Sequence, residues 1–96
     1  MPLLDDVKLS LREDVSIFDA EITDLIDAAK LDLKGAGVVK IVEEDKLIKR
    51  AIILYSKANY GMFNPHMEKY QKAYESLRSH LSLSSDYNNL SEVTNV

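Results

Sequence analysis

Cysteine and tryptophan are both missing from this 96-residue chain, which has only three glycines, two prolines and two histidines. Without cysteine there is no disulfide framework and no thiolate zinc site, so nothing points to an oxidising compartment. Long apolar runs are missing too. The longest, Ala51-Ile52-Ile53-Leu54-Tyr55, has five residues, whereas a membrane-spanning helix needs about 20. The opening Met1-Pro2-Leu3-Leu4-Asp5-Asp6 has neither the basic start nor the apolar stretch of a signal peptide, so a soluble product made in the cytoplasm, with no membrane partner, is expected. Basic charge is also in short supply: 12 Lys+Arg face 16 Asp+Glu, a formal charge of −4. That balance argues against a dedicated nucleic-acid binder. A single domain of this length buries only about 60–65% of its unfolded surface, too little for a deep cleft between two lobes.

The order of residues shows helical period in four places. The first is short, residues 5–11, with Asp5 and Asp6 in its first turn and Val7 and Leu11 on one face. Residues 12–16 are polar, and Asp14 or Ser16 is suited to cap the next helix. The spacing of Phe18, Ile22, Leu25, Ile26, Ala29 and Leu33 predicts one apolar stripe on a helix over residues 17–34. Gly35-Ala36-Gly37 ends it, since glycine takes the left-handed conformation that closes a helix. Val38 to Val42 reads as an extended connector or a short strand. Its neighbours in sequence are helices, so a partner strand would come from another subunit.

A second long helix is predicted over residues 45–60, with the acids Glu43, Glu44 and Asp45 at the positive end of its dipole. Leu47, Ile48, Ala51, Ile52, Tyr55 and Ala58 form its inward stripe. Ile53 and Tyr60 lie elsewhere on the wheel, so this helix is apolar nearly all round, as expected of a central helix or one touched by a second chain. Gly61-Met62-Phe63 closes it. Asn64-Pro65 then starts the third, with Asn at the cap and Pro at the first helical position. Met67, Tyr70, Tyr74, Leu77 and Leu81 give that helix a narrow seam for one neighbour. The expected fold is all-α: a small bundle of one short and three long helices over residues 1–83. A flexible C-terminal tail, residues 84–96, orders on a partner.

No catalytic constellation accompanies these helices. His66 and His80 are 14 residues apart, roughly 21 Å along a helix, too far to share a metal. No Gly-x-Ser-x-Gly elbow, His-Glu-x-x-His helix, calcium loop or phosphate loop is present. Asp24 and Asp27, one turn apart, are read as a solvated acidic face, and the tyrosines mostly as core residues of the stripes. Neither an enzyme activity nor a cofactor is expected.

The distribution of charge says more than its total. Residues 1–33 hold nine acids and three bases, residues 34–81 five acids and nine bases, and the tail two acids, giving −6, +4 and −2. Helical wheels place Ala20, Asp24, Asp27 and Leu31 on the outer face of the first long helix. Lys46, Lys49, Arg50, Ile53, Lys57 and Tyr60 share the outer face of the second. Two complementary, non-identical faces suit a head-to-tail contact, which closes into a ring when the rotation allows. An outward Ile53 opposite Leu31 would give that contact an apolar centre. The candidate subunit interface is therefore Asp24, Asp27 and Leu31 against Lys49, Arg50, Ile53, Lys57 and Tyr60.

In order and spacing these segments resemble the small head–tail connector (adaptor, or DNA-packaging) proteins of long-tailed bacteriophages. Residues 3–12, LLDDVKLSLR, resemble that family's first motif, and residues 18–30, FDAEITDLIDAAK, are similar to its first long helix. Residues 49–55, KRAIILY, match its second, and residues 70–81, YQKAYESLRSHL, look like the closing helix of members from Gram-positive hosts. The resemblance implies a homo-oligomeric ring, twelve-fold in the virion, that sits beneath the portal protein. It implies a ring that extends the DNA channel and docks tail-side completion or stopper proteins. Genomic DNA would pass without specific binding, which suits an acidic chain that repels phosphate. Assembly would take place in the host cytoplasm. Tyr87, Leu90 and Val93 of the tail are candidate contacts to the portal or a neighbour. The alternative is a small helix-turn-helix regulator whose helix after Asn64 offers Lys69, Lys72 and Arg78 to phosphate.

Overall fold

Val7 is fully buried, and Leu3, one turn before it, is nearly so; this pair anchors the first helix to the rest of the chain. The computed structural model describes residues 3–11, 18–60 and 66–88. Among them lie α1 (Leu3–Leu11), α2 (Asp19–Gly35), α3 (Lys46–Asn59), α4 (Met67–Leu83) and a single turn, α5 (Ser85–Asn88), with no strand. The all-α bundle of one short and three long helices is therefore the observed fold. The expected caps at Asp14, Ser16 and Asn64-Pro65, and the break at residues 61–63, fall outside the described residues.

The bundle is organised around α3, which packs on α1, α2 and α4. That position explains its nearly all-round apolar pattern. Ile48, Ala51 and Ile52 are fully buried, Leu54 and Ala58 nearly so, and Ser56 is buried with its hydroxyl donating to the Ile52 carbonyl at 2.9 Å. Bonding back to its own helix lets the serine sit inside without an unsatisfied polar atom. Ile22, Ile26, Ala29 and Leu33 of α2 are buried in the same core. From α4 come Tyr74 and Leu81, and the Tyr74 ring stands edge-on to Tyr55 at 5.3 Å between centroids. Each fully buried Ile or Leu contributes about 1.5–3 kcal/mol relative to exposure, so this cluster is the main source of stability.

Two ion pairs fix α1 in place. Lys8 meets Asp19 of α2 at 2.7 Å, and Asp6 meets Lys49 of α3 at 2.9 Å. The acceptor oxygens, Asp6 Oδ2 and Asp19 Oδ1, are buried and make no regular hydrogen bond, so the ammonium groups are what offset their desolvation.

The end of α2 matches the glycine signal closely. Gly37 has φ of 100°, the Val38 amide donates to the Leu33 carbonyl and the Gly37 amide to that of Lys34. This is the Schellman arrangement, completed by burial of Leu33 and Val38 together. Asp45 caps α3 by accepting from the Leu47 and Ile48 amides at 2.9 and 3.2 Å.

The connector differs from the expected strand. Val38 is buried in the chain's own core, and the Val39 and Lys40 amides both donate to the Tyr87 carbonyl, at 2.8 and 3.0 Å. Its backbone partner is thus α5 of the same chain. Tyr87, assigned from sequence to a flexible tail, is half-buried against the core, because one aromatic ring and one carbonyl suffice to dock a turn that composition marks as polar.

Candidate subunit interface

The outer face of α2 stands as the wheel placed it. Ala20, Asp24 and Asp27 are exposed, and Leu31 keeps 69% of its surface in solvent. Leu31 also lines an open groove of about 520 Å³ between the C-terminal ends of α2 and α4, along with Asp32, Arg78 and Ser82.

The basic face of α3 is divided by the fold. Arg50 and Lys46 are exposed, and Leu47 between them is 39% exposed. Lys49 instead reaches Asp6 of α1. Ile53 is half-buried against the core rather than outward. The Lys57 ammonium lies 5.1 Å from the centre of the Tyr70 ring, a cation–π contact with α4. Tyr60 is half-buried, with Phe18 edge-on at 6.5 Å. A wheel assigns two faces to a helix, but α3 has three neighbours, and α1 and α4 engage side chains that the wheel left outside. Leu47, which the wheel put on the inward stripe, is the more exposed apolar residue beside Lys46 and Arg50, and Ile53 is only partly exposed.

α2 and α4 are joined by a polar network that the sequence analysis did not anticipate. Tyr74 donates to Asp32 at 2.5 Å and Arg78 donates to the same oxygen at 2.8 Å. Burial alone would push the Asp32 carboxyl up, but the Tyr74 and Arg78 hydrogen bonds and the Arg78 charge hold it below the usual value of 3.8. Tyr74 is pushed well above 10.0, first by burial and then by its bond to Asp32. The separation of 42 residues between these partners is invisible to local patterning.

Tyr87 has a similar long-range partner. Its hydroxyl donates to both Asp45 oxygens, at 3.0 and 2.9 Å, and burial together with that carboxylate raises its pKa. Leu90 and Val93 lie outside the described residues.

Among the described residues no group of three or more His, Cys, Asp and Glu is placed to hold a metal ion, and no helix is long and apolar enough to cross a membrane. Of the bases in the helix-turn-helix alternative, Arg78 is paired with Asp32 and Lys72 with Glu68. A family profile described as "Phage connector protein" matches residues 3–88, which takes in every described helix. The chain belongs to the phage connector protein family.

Phage connectors are structural head–tail components of the virion, and membership implies assembly with other phage proteins. No curated protein and no solved structure matches this chain. For a connector, the informative surface is one that survives folding: the exposed Asp24, Asp27 and Leu31 strip, and the exposed Lys46, Leu47 and Arg50 patch.

Proposed function

We propose that this connector assembles as a ring beneath the portal, matching its twelve-fold symmetry. The ring extends the DNA channel and offers tail-side completion proteins a docking surface. The single observation that carries this reading is the family match over residues 3–88. The two exposed strips add a means of closure. Asp24, Asp27 and Leu31 on α2 are complementary in charge to Lys46 and Arg50 on α3, and each side has a leucine at its centre. Such a contact is head-to-tail, so copies repeat around an axis rather than pairing off. Lys49, Ile53, Lys57 and Tyr60 are partly engaged within the subunit, so in this reading Arg50 and Lys46 carry most of the basic side.

The net charge of −4 fits a channel wall that lets DNA slide. Residues after 88, with Leu90 and Val93, are proposed to contact the portal or a neighbouring subunit. Assembly takes place in the host cytoplasm, and the product remains in the virion.

Sedimentation velocity and negative-stain microscopy with purified portal test the proposal. Rings seated on the portal are expected. A chain that stays monomeric in the presence of portal overturns it.

A further inference from the structure

Three hydrogen bonds from α3 and the connector converge on Tyr87, one of them bifurcated. Its carbonyl accepts from Val39 and Lys40 in the connector, and its hydroxyl donates to both oxygens of Asp45, the residue that caps α3. The turn itself has little of its own to hold it. α5 has four residues and none is buried, and one helical turn is far too short to persist without outside contacts. Its internal bonds, from the Tyr87 and Asn88 amides to the Ser84 carbonyl, close only that turn, and the Asn88 side chain reaches back only to the Ser82 carbonyl. Just before it, Leu83 is 83% exposed, so the junction of α4 and α5 adds no apolar anchor of its own.

From this geometry we infer that residues 84–88 form a latch on the α2–α3 connector, opening as one unit while the helical body stays folded. Displacing Tyr87 breaks all three bonds at once, because each has Tyr87 on one side. The connector beyond Val38 then loses its hold on the C-terminal segment. Val38 stays seated, since its amide bonds to Leu33 and its side chain lies in the core. The cap of α3 also survives, since the Leu47 and Ile48 amides still have the Asp45 carboxylate. Opening therefore releases residues 84–88 and the Val39 and Lys40 amides together, while Ile41 packed against the core and the Lys30–Glu43 pair keep the rest of the connector in place. This inference does not depend on the ring, because it concerns the free subunit.

Native-state hydrogen exchange measured by NMR on the full chain tests it. The Val39, Lys40, Tyr87 and Asn88 amides are expected to share one opening equilibrium, well above that of the Ile26, Ile52 and Leu81 amides. Tyr87→Phe keeps the ring and the backbone but removes the hydroxyl bonds. It should speed exchange at those four amides together by roughly tenfold and leave the core amides unchanged. Asp45→Asn, which preserves capping, should act in the same direction, and adding it to Tyr87→Phe should have little further effect at the four amides. Exchange of Val39 and Lys40 at the rate of the core amides overturns the inference. So does a Tyr87→Phe effect confined to either the connector or the turn.

Discussion

Tyr74 and Asp32, 42 residues apart in sequence, meet through a 2.5 Å hydrogen bond that joins the closing helix to the first long one. Tyr74 has no exposed surface, whereas Asp32 stays partly open to water. Removing the hydroxyl alone takes one donor from the carboxylate and leaves Arg78 in place. Tyr74→Phe should therefore cost about 1–2 kcal/mol, read as a lower urea midpoint at unchanged slope. Arg78→Ala should cost less, about 1 kcal/mol or below, because that pair is partly solvated.

This network and the separate Tyr87–Asp45 pair both bear on the response to pH. Tyr74 and Tyr87 both have pKa values raised above 10.0 in the folded chain. Their contribution is fully present below the unfolded value and is lost as pH rises from there through the folded values. Asp32 has the opposite sign. Held below 3.8, it stabilises the fold above that pH, and its contribution fades as pH falls through the folded value. Stability profiles should bend down at both extremes, and Tyr74→Phe should flatten the alkaline limb.

Lys49 and Arg50 are neighbours in sequence with different duties. Lys49→Glu removes the partner of a buried Asp6 oxygen and sets two like charges together, with an expected loss of about 1–2 kcal/mol. Arg50→Glu, at an exposed site, should change stability by no more than about 0.5 kcal/mol. If α2 and α3 meet between subunits, Asp24→Lys with Asp27→Lys should weaken assembly on the portal. Lys46→Glu with Arg50→Glu should partly restore it, by sedimentation velocity, and no restoration would count against this pairing.

Gly35 and Gly37 separate helix propensity from backbone strain. A Cβ added at either meets nothing within 4 Å. Gly35 is the last residue of α2, so Gly35→Ala should stabilise by about 0.5–1 kcal/mol. Gly37 has φ of 100°, and Gly37→Ala should destabilise by about 1–2 kcal/mol. Thermal melts of the two variants should move in opposite directions.

Much of the fold was legible in the order of residues. The stripe of Ile22, Ile26, Ala29 and Leu33, the α3 residues Ile48, Ala51 and Ile52, and the Gly37 stop all appear where periodicity and turn chemistry put them. The exposed Asp24, Asp27 and Leu31 strip was legible for the same reason. The basic half of the candidate interface was only partly so. Lys49 and Ile53 looked outward on a wheel drawn for a helix with a single buried side.

These differences share one cause. Helix formation, capping and amphipathic stripes depend on residues within about four positions of each other, and a sequence displays those relationships directly. Which helix lies against which is settled by pairings between distant residues. Asp6 with Lys49, Asp32 with Tyr74 and Asp45 with Tyr87 are each about 42 residues apart, and no local pattern announces them. The sequence alone therefore established an all-helical bundle with one acidic face. Tertiary packing decided that α3 is enclosed on three sides, that Arg50 rather than Lys49 faces outward, and that Tyr87 is tied to the body of the chain.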